Sequence, residues 1–181
     1  MHSKDTYSSG TSQKSKLLLQ VKNISRKVSG KWIWENISFD LYEEQRIAIS
    51  GTSGSGKSML LRTLAGLDVI EKGPSGEEGS IIFSGKSISE WKMPEYRIRI
   101  GYVNQNPSFS EETVEECLKR VFSLKINQNK FYDREKILFW LEHLSLRNTR
   151  KNYSDKDYLS EFLNQPASEL SGGEAQVVAV L

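Results

Sequence analysis

A single cysteine, Cys117, stands in a chain of 181 residues, so an internal disulfide is excluded and a reducing compartment fits. Long apolar runs are missing as well. The longest candidates, near Leu17–Leu19 and Val177–Leu181, are far too short to span a bilayer, so a membrane role has to come through a partner chain. A net excess of charge is missing too: 25 Lys and Arg against 23 Asp and Glu leave a formal +2, which gives no case for a nucleic-acid partner. Met1 to Lys16 lacks the apolar core of a secretory signal and is rich in Ser, Thr, Gly and Lys, so residues 1–16 are expected to be a disordered tail. No internal repeat is found. With 37% apolar and 27% charged residues, the chain suits one globular domain able to bury a substantial core.

What is present centres on Gly51-Thr52-Ser53-Gly54-Ser55-Gly56-Lys57-Ser58, which fits G-x-x-x-x-G-K-[ST] residue for residue. An apolar run, Arg46 to Ser50, enters it and a helical pattern, Met59 to Ala65, leaves it. The three glycines let successive backbone N–H groups point into one concavity. That concavity opens onto a helix N-terminus, where the macrodipole favours an anion. Lys57 adds a mobile positive charge for β- and γ-phosphates, and the Ser58 hydroxyl is placed to ligate Mg²⁺.

Alternation over Leu17–Ile24 and over Ile37, Phe39 and Leu41 predicts half-buried strands. The Ile-Ala-Ile centre of Arg46–Ser50 predicts a strand buried on both faces. Ser80–Phe83 reads as a strand closing on the Ser84-Gly85 turn, Met93–Arg99 as a short helix or bend, and Ile100–Val103 as a strand. Beyond Pro107 the pattern turns helical, over Val114–Leu124 and Asp133–Leu146. In the latter, Ile137, Leu141 and Leu144 form a stripe that Leu138 and Trp140 widen. A helical subdomain is expected over about residues 111–165.

Leu170-Ser171-Gly172-Gly173-Glu174-Ala175-Gln176 is a second glycine-rich helix start able to receive an anion, although ordinary helix starts share its form. Tyr102-Val-Asn-Gln105, followed by Asn106-Pro107, lies between the two motifs.

With these three stretches in order, the chain resembles the nucleotide-binding domain of an ABC-type ATPase over about Leu17 to Gln176. Gly51–Ser58 resembles the Walker A loop, Gln105 the Q-loop glutamine, and Leu170–Gln176 the signature motif. The resemblance implies an α/β P-loop fold over residues 17–181, with a mixed β-sheet core and an inserted helical subdomain. It implies ATP and Mg²⁺ as ligands, with Lys57 and the loop amides on the phosphates and Ser58 on the metal. Gln105 would approach the metal and the attacking water. Ser171, Gly172, Gly173 and Glu174 would meet the γ-phosphate held by a second copy, which requires a head-to-tail homo- or heterodimer. Membrane-spanning subunits would be the partners, and the chain would sit on the cytoplasmic face of the plasma membrane.

The family continues past the signature helix to an apolar strand ending in Asp-Glu and then to a switch histidine; here the chain stops at Leu181. His2 and His143 match no switch position. The acidic pairs Glu43-Glu44, Glu111-Glu112 and Glu115-Glu116 read as solvated or helix-start charges. The expectation is a shortened gene product that binds nucleotide weakly and hydrolyses none, with an apolar strand ending Asp-Glu encoded downstream in some frame. Trp32 or Arg26 is the candidate to stack on adenine, an edge or core role being the alternative for Trp32. Glu44 replaces a glycine common in the family and is expected to tighten its turn at some cost. Cys117 reads as a packed free thiol. The short insert is similar to that of compact bacterial metal-exporter ATPases. A non-hydrolysing nucleotide-binding remnant and a soluble ABC ATPase outside transport are the competing readings.

Overall fold

The computed structural model describes residues 15–144 and 156–181. The expected tail lies outside the described residues apart from Ser15 and Lys16, as do the last two positions of the helix expected over Asp133–Leu146. The chain divides into two compact units, one running to Tyr102 and the other spanning Val103–Leu181.

The first unit begins with a long hairpin, β1 (Leu17–Val28) and β2 (Lys31–Tyr42). Ser29 and Gly30 join the strands with φ of 49° and 81°. Positive φ at both central residues marks the type I′ turn, whose twist matches that of the flanking strands. Antiparallel to β1, on its other edge, runs β3 (Ser80–Phe83), with Val21 opposite Ile81; β4 (Lys86–Ser87) folds back on β3. The order is β2-β1-β3-β4, and every ladder among the described residues is antiparallel.

Arg46–Ser50 and Ile100–Val103, expected as strands, hold no ladder among the described residues. A strand is defined by its hydrogen-bonded neighbours, and these runs, which would make the sheet mixed, find none there. Ile47 is accordingly 47% exposed instead of buried, while Ile49 packs against the core of this unit.

That core joins Leu19, Val21, Ile24, Trp34 and Ile81 of the sheet to Leu60 and Leu64 of α1 (Lys57–Leu64). A Schellman closure ends α1: Gly66 N–H donates to the Thr63 carbonyl at 3.0 Å and Leu67 N–H to the Arg62 carbonyl at 2.9 Å. From α2 (Met93–Arg99), which has Pro94 in its first turn, the Tyr96 hydroxyl donates to the Leu64 carbonyl at 2.6 Å. Burial pushes the Tyr96 phenol up to about 12. Arg97 donates to the Gly66 carbonyl at 2.6 Å, and Arg62 forks onto Asp68 at 2.9 and 3.1 Å. The C-terminal end of α1 is therefore pinned from several sides.

The second unit is helical: α3 (Val114–Ser123), α4 (Arg134–Leu144), α5 (Lys156–Asn164) and α6 (Gly172–Val180). Its core holds Val114, Leu118, Ile137, Leu141, Leu159, Phe162, Leu163, Ala167 and Val178. Ile137 and Leu141 point inward as expected, but Trp140 is 44% exposed. At 3.6 residues per turn Trp140 lies about 100° around the helix from Leu141, off the buried stripe. Leu144, at the far end of the stripe, is 37% exposed. Cys117 is a free thiol packed against this core, its Sγ 3.9 Å from the Ser110 hydroxyl.

Candidate nucleotide site

The glycine loop leads directly into α1. Gly56 is the residue before its first turn, in the left-handed region at φ 86°, and its carbonyl accepts the first helical bond from Leu60 N–H at 2.9 Å. A methyl group built on Gly56 would lie 2.4 Å from Ile33 Cγ2 and 2.9 Å from Trp34 Cδ1. Only glycine satisfies both the dihedral and the space. β2 therefore forms the floor on which the loop rests.

No side chain caps α1, and its first turn carries no acidic residue. Its initial N–H groups are thus left without a side-chain acceptor, at the positive end of the helix dipole. α3 and α6 differ: each is closed by a capping box, Thr113 with Glu116 and Ser171 with Glu174. An open helix start behind a glycine loop is a receptor for phosphate oxygens.

Lys57 Nζ donates to the carbonyls of Gly51 and Thr52 at 2.9 and 2.7 Å. An ammonium has three donors, so two fix its position over the loop and one is left for an anion. Ser58 follows on the first turn of α1, exposed, with a hydroxyl of the type that ligates Mg²⁺. Gly51 to Ser55 are exposed, so the cradle is open to a ligand. These donors fit a Mg-nucleotide: amides and one ammonium for the phosphates, one hydroxyl for the metal.

The second unit carries the other expected residues. Gln105 lies on an irregular stretch, and the Gln176 side-chain amide of α6 donates to its backbone carbonyl at 3.0 Å. The structure thereby joins two motifs separated by 71 positions. At the start of α6, Ser171 Oγ accepts from Glu174 N–H at 3.4 Å, while Ser171 N–H and Oγ both donate to the Glu174 carboxylate at 2.9 and 2.6 Å. The motif is a capping box satisfied within itself. Gly172 and Gly173 form the first turn of α6, and a methyl on Gly172 would meet nothing within 4 Å.

Neither adenine candidate is a free platform. Arg26 donates to the Val69 carbonyl at 3.1 Å and pairs with Glu71 at 3.6 Å, which commits its guanidinium to the sheet edge. Trp32 is half-buried on β2, an edge strand, with Lys27 Nζ 5.2 Å from its ring centroid. At least one member of each acidic pair is engaged in structure. Glu43 pairs with Lys16, Glu112 with Arg120, and Glu116 caps α3. Glu115 receives the Tyr132 hydroxyl at 3.1 Å together with Lys119 and Arg134. Among the described residues no three His, Cys, Asp or Glu gather as a metal cluster, and no helix is long and apolar enough to cross a membrane.

One residue at these sites carries no motif signal, Trp34 beneath the loop; Gln176 lies inside the Leu170–Gln176 stretch, but its contact with Gln105 is given only by the structure. Trp34 and Trp32 stand opposite the successive residues Arg26 and Lys27, so a register shift falls between them, and of the two only Trp34 joins the core beneath the loop.

Comparisons with known proteins agree with this architecture. A family model described as ABC transporter matches residues 34–181. The chain is 30% identical over 169 residues to the probable iron export ATP-binding protein FetA of Escherichia coli, covering 93% of this chain and 66% of that one. It is 30% identical over 176 residues to the phosphonates import ATP-binding protein PhnC of Treponema denticola, covering 91% and 61%. It thus spans about two thirds or less of the length of these curated relatives. The structure of a bacterial Atm1-family ABC exporter with ATP bound shares the fold at a TM-score of 0.70 and 20% identity, over 91% of this chain and 27% of that one. With a family model covering most of its length, the chain belongs to the ABC transporter family as an ATP-binding domain shorter than its full-length relatives.

Proposed function

We propose that this chain binds MgATP at Gly51–Ser58 and serves as the ATP-binding subunit of a transporter, docked on membrane-spanning partners at the cytoplasmic face of the membrane. The observation that carries the reading is the uncapped start of α1 behind the glycine loop, with Lys57 held over it by two loop carbonyls. The loop amides and Lys57 hold the β- and γ-phosphates and Ser58 is the metal-side hydroxyl, while Gln105 keeps the metal-side role that the resemblance implies for it. Bound Mg²⁺ supplies charge neutralisation on the phosphates. In a head-to-tail dimer, Ser171, Gly172, Gly173 and Glu174 meet the nucleotide of the second copy, which requires Ser171 to release the Glu174 carboxylate.

Binding is proposed without turnover by residues 1–181. Glu43, Glu112, Glu115 and Glu116 are each tied to a cation, a hydroxyl or a helix start, which supports reading them as structural charges. Relatives named for iron export and for phosphonate import are both similar to this chain at 30% identity, so likeness favours neither direction nor cargo. Isothermal titration with MgATP, beside a phosphate-release assay, tests the reading. The expected result is saturable binding weakened at least about tenfold by Lys57→Ala, the loss of one charge-assisted contact, and no phosphate release above the Lys57→Ala background. Lys57-dependent turnover would refute the binding-only part, and absence of Lys57-dependent binding would refute the site.

A further inference from the structure

The floor of the loop holds an unsatisfied donor. Trp34 is 9% exposed, and its indole Nε1–H is buried with no acceptor. The edge of the ring that carries this group faces the loop: a methyl on Gly56 would lie 2.9 Å from Cδ1 and 3.1 Å from Nε1. A buried N–H without a partner lowers stability, and native proteins retain few of them. This one sits under the residue at which the glycine loop becomes α1.

A trans peptide holds its N–H and its carbonyl on opposite sides of one plane. When a loop amide turns its N–H toward an anion, the carbonyl of the same peptide turns to the far side. For the amide of Gly56 that carbonyl belongs to Ser55, and beneath the loop at Gly56 stands Trp34. The Gly51 and Thr52 carbonyls already accept from Lys57, and that of Gly56 from Leu60.

We propose that Trp34 is a positioning residue for the phosphate loop: its indole N–H donates to the Ser55 carbonyl when the loop closes on a triphosphate, and so holds the Gly56 amide toward the anion. The inference rests on the MgATP reading above and adds a residue that does not itself touch the ligand. A hydrogen bond made only when the loop closes on its ligand contributes to ligand affinity and not to the folding of the ligand-free chain.

The test uses the full chain, uniformly ¹⁵N-labelled, titrated with MgATP. Four tryptophans give four indole cross-peaks, and that of Trp34 is identified by its absence in Trp34→Phe. The expected result is a downfield proton shift of the Trp34 cross-peak that saturates with MgATP and is absent in Lys57→Ala. Trp34→Phe keeps the apolar body and loses the donor, so its MgATP affinity falls about threefold to tenfold, the range of one net hydrogen bond. A purely packing role would leave the cross-peak unmoved, as would an N–H permanently satisfied by a buried water; either result overturns the proposal. So does Trp34→Phe binding MgATP as tightly as the unaltered chain while Lys57→Ala does not, which sinks this proposal and leaves the cradle standing. Failure of the unaltered chain to bind MgATP sinks both. The titration of the unaltered chain decides the matter even where Trp34→Phe fails to fold, with Trp34→Tyr then supplying the peak identification.

Discussion

The side-chain amide of Gln176, on the second turn of α6, donates to the backbone carbonyl of Gln105 at 3.0 Å. One bond thus ties the stretch expected to approach the metal to the helix expected to approach a second copy's nucleotide. The bond is exposed, so its net contribution is about 0.5–1 kcal/mol. Gln176→Ala is expected to lower stability by that amount and to speed amide exchange over residues 105–107 relative to the core of α3. Gln176→Glu, which removes the donor at constant length, is expected to do the same. Unchanged exchange in both variants would show that the bond does not hold the stretch.

Gly54 and Gly56 separate two kinds of constraint in one loop. Both have positive φ, 79° and 86°, but a methyl on Gly54 meets nothing within 4 Å whereas one on Gly56 meets Ile33 at 2.4 Å. Gly54→Ala is expected to cost only the left-handed penalty, about 1 kcal/mol. Gly56→Ala adds steric displacement of the β2 floor, for a total of about 2–4 kcal/mol. Urea unfolding midpoints of the two variants check the difference, and equal costs would contradict the close approach.

Acid should loosen the second unit through Glu115. Desolvation alone would raise its carboxyl, but the Tyr132 hydroxyl, Lys119 and Arg134 outweigh that and hold it below the ordinary glutamate value. The folded state therefore binds this proton less readily than the unfolded one. Its stabilisation is complete above the unfolded value, about 4.3, and is lost as pH falls through the folded value. Glu115→Gln is expected to be less stable than the unaltered chain at pH 6, with the gap shrinking toward pH 3. Tyr132→Phe removes a hydrogen bond to a charged acceptor and is expected to cost about 1 kcal/mol at pH 6. Urea titrations across this range decide it.

Glu44 occupies the left-handed region at φ 65°, in the turn where Gln45 N–H donates to the Tyr42 carbonyl at 3.1 Å. A side chain in that region costs backbone strain, partly offset by the smaller entropy of a non-glycine unfolded chain. Glu44→Gly is expected to raise stability by about 0.5–1 kcal/mol. A drop in the unfolding midpoint would mean that the Glu44 side chain contributes more than its backbone costs.

Local chemistry made much of this protein legible. Glycines before a lysine and a helix announce the cradle. Alternation marks β1 and β2, and helical spacing from Val114 onward marks α3. What alternation could not reveal was pairing. Arg46–Ser50 has the composition of a buried strand, yet Ile47 is exposed because no neighbour among the described residues completes its ladder. Spacing likewise placed Trp140 near the apolar stripe of α4, and the 100° step of the helix carries it out.

The order of residues by itself marked the proposed phosphate site, since a glycine loop, one lysine and a helix start are contiguous in sequence and need only local folding. Which tryptophan lies beneath that loop was decided only by tertiary structure. So were the tying of Gln105 to Gln176 and the closure of the start of α6 by Glu174 while that of α1 remains open. The first two depend on which surfaces pack together across tens of residues, and the last on where a carboxylate comes to rest once its helix has formed.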